Sequence, residues 1–458
     1  MTSIPAAARE HAFDLAEFVT ASPSSFHAVA EIARRCEAAG FIRLIETDPW
    51  DVQPGGRYFV VRDGAAIAFA VPESAGPTTP FTILGTHTDS PGFKLKPKPT
   101  TGGHGFLQAG VEVYGGPLLA SWLDRELELA GRVVLLDGTE HLVRTGPLLR
   151  IPSLAIHLDR TANDALTLDK QKHTQPIWGL GNVTDADLLA ALAQRVGSLT
   201  SIRQLELPNR DETAESSALN PADIGGYDLI TVDTQPPAIF GADDALFASP
   251  RLDNLLSTHA ALTALLAATT SSPSVSPSAV GGGAICVVAA FDHEEIGSES
   301  YSGAAGPFLD DVLTRLGAAL GATTEDRARA FAGSFLVSSD VGHAVHPNYP
   351  DRHDPANRPV AGGGPILKIN ANQRYATDAV GAARWQAACQ AAGVPSQEFV
   401  SDNSTPCGST IGPISATRLG IRTVDVGVPI LSMHSARELT AVIDPWHLTR
   451  AMTAILQN

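Results

Sequence analysis

Two adjacent glutamates, Glu294 and Glu295, follow the apolar run 284–291 in the segment Asp292-His293-Glu294-Glu295-Ile296-Gly297-Ser298. A run this rich in β-branched residues, with glycine before it and charge after it, reads as a buried strand that delivers both carboxylates to a sheet edge. Neighbouring acids repel, so keeping both ionised at one strand end requires a cation or a held proton. A metal ion meets both needs, because one glutamate can bind it while the other moves a proton for a bound water. Taken alone, the pair fits a solvated turn better, and only the rest of the chain can change that balance.

Other candidate ligands recur directly after predicted strands. They are His87 and Asp89 after 81–84, Asp340 after 335–339, and His434 shortly after 424–428. Asp253 joins them from Ser249-Pro250-Arg251-Leu252-Asp253-Asn254, where Ser-Pro begins a predicted helix with an acid in its first turn. Each of these residues alone fits a structural role. In an open α/β sheet, however, strand carboxyl ends converge on one crevice, so ligands far apart in sequence can meet there. Two histidines and three carboxylates without thiolate suit two divalent ions, Zn2+, Mn2+ or Co2+, bridged by one carboxylate. Such a pair, roughly 3.5–4 Å apart, polarises a carbonyl and generates hydroxide near neutral pH, which is hydrolytic machinery.

Competing chemistries find little support. The chain has no G-x-S-x-G elbow, H-E-x-x-H helix, Walker loop or strand-borne G-x-G-x-x-G. Gly408-Ser409-Thr410 and Gly297-Ser298 read as helix starts, and Cys407 reads as a packed thiol.

The elements that must position these residues read as follows. Helical periodicity spans 6–40 around Ser22-Pro23-Ser24. The runs 57–62 and 65–71 form a hairpin about Asp63-Gly64. From about 96 to 234 the texture changes to short strands among Gly and Pro turns, with strands expected at 132–136, 141–144 and 154–158 and a helix at 185–199. Long helices (252–268, 308–320, 379–392) then alternate with buried strands (284–291, 334–339, 423–428). The stretch 269–283, almost all Thr, Ser, Pro, Val, Ala and Gly, is expected to be a mobile loop. The expected fold is α/β. A mainly parallel, mixed-sheet catalytic domain (1–95 and 236–458) carries helices on both faces and is interrupted by a β-rich insertion at 96–235.

With 458 residues, 44 % of them hydrophobic and 18 % charged, the chain can bury sizeable cores and shows no global disorder. Forty-nine acids against 32 Lys and Arg give a formal charge of -17, which leaves no basic excess for nucleic acid. Cys36, Cys286, Cys389 and Cys407 are scattered, which favours a reducing compartment over a disulfide framework or thiolate zinc site. The first 18 residues mix charge into their apolar positions, and no stretch approaches a membrane span, so a cytoplasmic protein without membrane partners is expected.

Several segments carry a resemblance. His87-Thr88-Asp89-Ser90-Pro91, Ser249 to Asn254, Asp292 to Ser298, Ser339-Asp340-Val341-Gly342-His343-Ala344-Val345-His346-Pro347-Asn348-Tyr349 and Met433-His434-Ser435-Ala436-Arg437-Glu438 closely resemble the aspartyl aminopeptidase and aminopeptidase I family. The likeness extends to Ile151 to Leu158 and to Lys368 to Tyr375, and so covers almost the whole chain. It implies two divalent ions per subunit, with Zn2+ foremost. One would be held by His87, Asp340 and the bridging Asp253, the other by Asp253, Glu295 and His434, with Glu294 as general base and Asp89 orienting His87. It also implies that the insertion is a dimerisation domain, that dimers assemble into homododecamers, and that His157 reaches a partner's site to stabilise the oxyanion. His343 and Lys368 match positions near the pocket for the N-terminal side chain. There Lys368 could pair with an acidic residue, or it could be an exposed strand-end lysine. The implied activity is removal of single residues, acidic or neutral, from peptide N-termini. The alternatives are a related dinuclear deacylase or carboxypeptidase, and an idle oligomeric scaffold.

Overall fold

The structure is a computed structural model, and it describes residues 4–203, 219–270 and 283–457. The chain divides into two compact units. The first comprises Met1–Ser90, Pro236–Met433 and Glu438–Asn458, and the second Pro91–Gln235 with His434–Arg437.

The first unit is built on a nine-stranded mixed sheet. Its centre is four parallel strands in the spatial order Ile285–Phe291, Phe81–His87, Phe335–Ser339 and Arg422–Gly427. The Arg57–Arg62 and Ala65–Ala70 hairpin, with Asp63 at φ 53 in its turn, extends one side and ends at the short edge strand Ile42–Arg43, and Ile366–Ile369 and Gln397–Val400 extend the other. Alternation along the buried strands decides what each face packs against. Cys286, Val288 and Ala290 join a core with helices Ala6–Ala21, Ser25–Ala38, Leu252–Thr270, Ala379–Ala392 and Ile443–Gln457. Ile285, Val287, Ala289 and Phe291 join the opposite core with Phe308–Ala319 and Thr324–Gly333. Helices therefore cover both faces, as a sheet buried on both sides requires.

Helix ends follow their local chemistry. Ser24 caps Ser25–Ala38, Thr323 and Asp326 form a capping box, and Thr410, read as a helix start, caps Ile411–Leu419. The start of Leu252–Thr270 is different. Asp253 (φ -80, ψ 104) and Asn254 (φ -122, ψ 24) are not helical, and the peptide between them is cis. The expected acid in a regular first turn is therefore an irregular one.

The second unit is a six-stranded antiparallel sheet with the order Glu140–Arg144, Leu127–Leu135, Ile224–Asp233, Gly92–Gly103, Phe106–Tyr114, Ile177–Leu180. Phe93, Val111, Leu129 and Val133 form its core, closed by Leu188 and Leu192 of helix Leu188–Arg203. The strand expected at 154–158 does not form. Among the described residues no strand pairs with its apolar alternation, and residues 156–158 make a turn, with the Leu158 N–H donating to the Ala155 carbonyl at 2.8 Å. Of the loop expected at 269–283, residues 271–282 lie outside the described residues.

Candidate metal centre

The four central strands end side by side, and the candidate ligands follow those ends. His87 is the last residue of its strand and is 1 % exposed. Its Nδ1 lies 3.1 Å from the main-chain oxygen of Asp89. A carbonyl can only accept, so Nδ1 carries the proton and Nε2 faces the acids. Nε2 is 3.2 Å from Asp253 Oδ1, 3.6 Å from Asp340 Oδ1 and 3.9 Å from Glu294 Oε2. His87, Asp253 and Asp340 form one group with ligand atoms within 4.8 Å of one another, and His87, Glu294 and Glu295 form a second.

Glu294 and Glu295 start a single 3-10 turn, Glu294–Ile296, entered through the left-handed His293 (φ 63) and left through Gly297 (φ 98). The free amides of such a turn need acceptors. Asp89 supplies both, taking the Glu294 N–H at 3.0 Å on Oδ1 and the Glu295 N–H at 3.1 Å on Oδ2. Its carboxylate is also 3.4 Å from His87 Nδ1. Asp89 thus fixes the paired glutamates as well as facing the imidazole.

Asp340 follows the Phe335–Ser339 strand, with its N–H donated to Val426 at 3.1 Å. Gly427 stands against it so closely that a methyl group there would collide with the Asp340 carbonyl oxygen. Lys368, in the strand Ile366–Ile369, is buried rather than an exposed strand-end lysine. Its ammonium donates to the Val341 carbonyl at 2.8 Å, lies 3.8 Å from Asp340 Oδ2, and sits 5.4 Å from the centre of the Tyr375 ring. His343 is exposed, with its ring edge-on to Phe399 at 6.2 Å.

The two remaining histidines lie in the second unit. His434 is left-handed (φ 63), and its Nδ1 is 3.0 Å from the Gly116 carbonyl, while Leu118 donates to the His434 carbonyl at 2.8 Å. His157 lies in the exposed turn after Ile156.

The electrostatics test whether a divalent cation fits the first unit's cluster. Burial works against charging His87, but Asp253, Asp340 and Asp89 outweigh it and push its pKa well above the usual imidazole value. Burial, followed by the charges of Asp340, Asp253 and Asp89, raises Glu294 to about 8 against the pull of His87. Burial and Asp253 lead the causes that raise Glu295 far above the carboxylate range. Oδ1 of Asp340 is buried without a hydrogen-bond partner. This much carboxylate around one imidazole holds more negative charge than a buried site tolerates unless protons or a cation neutralise it. Oxygen and imidazole donors gathered this way fit zinc or a similar divalent ion.

Sequence reasoning did not single out the groups that hold Asp253. Its N–H donates to Glu438 Oε2 at 2.9 Å, and its carbonyl accepts from Ser90 Oγ at 2.6 Å. The Asn254 side chain donates to the Ser339 carbonyl at 2.9 Å. All three residues lie inside the quoted motifs, but nothing in a motif says which of its polar residues serves the backbone.

A doubly wound sheet that gathers imidazole and carboxylates at its strand ends defines a metal-dependent hydrolase. The family model described as "Aminopeptidase I zinc metalloprotease (M18)" matches residues 18–454, and the chain belongs to this family. It is 54 % identical over 453 residues to "Probable M18 family aminopeptidase 2" of Streptomyces avermitilis, covering 98 % of both chains. Among solved structures, it resembles a chain of "Cryo-EM structure of the Ape4 and Nbr1 complex" at TM-score 0.91 and 37 % identity, covering 100 % of this chain and 88 % of that one. It also resembles "Structure of S. cerevesiae mApe1 dodecamer" at TM-score 0.80 and 26 % identity, covering 97 % and 96 %. The protein is an aminopeptidase, a hydrolase acting on peptides. No helix among the described residues is long and apolar enough to cross a membrane.

Proposed function

We propose that this aminopeptidase works through two divalent ions, zinc foremost, with His87, Asp340 and the bridging Asp253 holding one and Asp253, Glu295 and His434 the other. The observation that carries the reading is the convergence of Asp253, Asp340 and Glu294 oxygens on the Nε2 side of His87 while Nδ1 is occupied by Asp89. His434 is supported by the family resemblance and by the Gly116 carbonyl on its Nδ1, which leaves Nε2 to coordinate.

Ions so held would supply Lewis acidity, polarising the scissile carbonyl and lowering the pKa of a water molecule. Glu294 receives a proton from the attacking water and returns it to the departing amine nitrogen. Asp89, through both backbone amides of the glutamate pair, keeps the base beside its metal-binding neighbour. Lys368, a buried cation beside Asp340, supports a preference for N-terminal Asp or Glu, with His343 near the same pocket. The dodecamer named for the yeast relative supports a homododecamer built from dimers through the inserted unit, with His157 serving a neighbouring copy's oxyanion. The scattered free cysteines support a cytoplasmic setting.

The test is a peptide panel assayed with Zn2+, Mn2+ or Co2+ added to metal-free protein. Free N-terminal residues should be released and N-acetylated peptides left intact, and release of acetate from the acetylated peptides with the free ones untouched would replace the reading with a deacylase. Glu294→Gln should keep its metal and lose turnover by about 10²–10⁴-fold. Near-normal activity in that variant would remove Glu294 as the base. Lys368→Met should cost acidic N-termini more than neutral ones.

A further inference from the structure

We infer that Glu438 is a positioning residue for the metal centre, acting on the main chain of Asp253; this rests on the reading of Asp253 as a metal ligand. Glu438 opens the strand Glu438–Ala441, which pairs antiparallel with Leu246–Ser249 so that Glu438 stands opposite Ser249. That register places its side chain beside the turn that leads from Ser249 into Asp253.

The need for such a group follows from the backbone. The first N–H groups of a helix have no partner within it. Asp253 and Asn254 are non-helical, and Asp253 is buried, so water cannot serve its amide. The Glu438 carboxyl group, itself 2 % exposed, takes that N–H at 2.9 Å. The cap is therefore supplied by a neighbouring strand rather than by the residue before the helix.

Placement of this amide sets where the Asp253 side chain points. Ser90 Oγ holds the Asp253 carbonyl at 2.6 Å, and Asn254 reaches the carbonyl of Ser339, the residue before Asp340. With both faces of its peptide fixed, Asp253 presents Oδ1 3.2 Å from His87 Nε2. Burying a further carboxyl group against the main chain of Asp253 adds like charge beside a residue that already faces other carboxylates. A neutral acceptor would satisfy the N–H at lower electrostatic cost unless a bound cation offsets that charge.

The experiment compares Glu438→Ala, Glu438→Gln, Glu438→Asp and Asp253→Asn in the full chain. It reads zinc affinity by competition with a chelator, kcat and KM at saturating zinc, and the melting temperature of the metal-free protein. Glu438→Ala is expected to weaken zinc binding on the order of 10–100-fold, as loss of outer partners of metal ligands does. Glu438→Gln keeps an oxygen that accepts the same N–H and should bind within about threefold of the parent. Glu438→Asp keeps the charge but falls one methylene short, so it should weaken zinc binding, and it decides the matter if Glu438→Ala does not fold. Parental zinc affinity in Glu438→Ala or Glu438→Asp, with Asp253→Asn unable to bind, would overturn the inference and leave the metal site standing. Parental zinc binding in Asp253→Asn would overturn both. A fall in the metal-free melting temperature with unchanged zinc affinity would make Glu438 a strand clamp and nothing more.

Discussion

His87 and His157 are both histidines in motifs that resemble one enzyme family, and the two units treat them in opposite ways. His87 ends a strand with partners on both sides, and its ring is enclosed by Asp89, Asp253, Asp340 and Glu294. His157 lies among exposed apolar residues, with Leu154 62 % and Leu158 75 % exposed. Local sequence explains neither outcome. The difference lies in what the chain itself can bring to each segment: the first unit completes the surroundings of His87 from several strand ends, whereas the second leaves an apolar segment that only another surface could cover.

The comparison breaks most sharply at His157. His157→Ala should lower kcat about 10²–10³-fold without changing metal content, if the residue supplies an oxyanion donor. Mixed assemblies of His157→Ala and Glu294→Gln subunits should regain activity that neither variant has alone. Parental kcat in His157→Ala would leave that histidine without a role in the reaction.

Next in size are two glycines that are tight for different reasons. At Gly427 a methyl group would strike the Asp340 carbonyl oxygen, and at Gly131 (φ 151) it would strike that of Asp228. Each alanine variant should lose on the order of 3 kcal/mol in denaturant unfolding. Only Gly427→Ala should also lose zinc, and equal zinc content in the two would detach Asp340 from the metal.

A smaller effect separates buried from exposed groups within the first unit. Burial first, then the neighbouring His259, lowers His11 from 6.5 to about 3. The folded protein therefore keeps His11 neutral where the unfolded chain takes up a proton. This contribution to stability is complete above pH 6.5 and falls as pH drops from 6.5 towards 3. Between pH 6.5 and 5 it should amount to about 2 kcal/mol, and His11→Gln should flatten the slope in urea titrations at those pH values.

Smallest for the single chain is the double variant Leu154→Ser and Leu158→Ser. It should change the stability of the fold by about 0.5 kcal/mol or less, as exposed sites do. Assembly size by light scattering should fall. An unchanged assembly would show that this segment is not what joins the copies.

What the sequence made legible follows from the same contrast. Glu294, Asp340 and His87 could be placed because a buried apolar run announces a strand, and parallel strand ends converge. Segment 154–158 differs because alternation marks a pleat only when a neighbouring strand is present, and among the described residues none pairs with it. The irregular start at Asp253 was hidden because Ser-Pro followed by an acid is also how an ordinary helix begins. Lys368 reads as a surface residue by type, and its burial depends on Val341 and Asp340 from another strand end. The acceptor for the Asp253 amide was invisible, since hydrogen bonds to main chain leave no pattern in side-chain spacing.

The placement of Phe81–His87 in the middle of its sheet has a further consequence, for the order in which the molecule can assemble. Its two neighbours come roughly two hundred and two hundred and fifty positions later in the chain. At ordinary rates of synthesis that is a wait on the order of ten to fifty seconds, during which this apolar strand has neither partner. The inserted antiparallel unit between them can pair its own strands in the meantime. No growing chain can bring His87, Asp253 and Asp340 together until Asp340 has left the ribosome, so this cluster of acids around one imidazole is among the later features of the first unit to form.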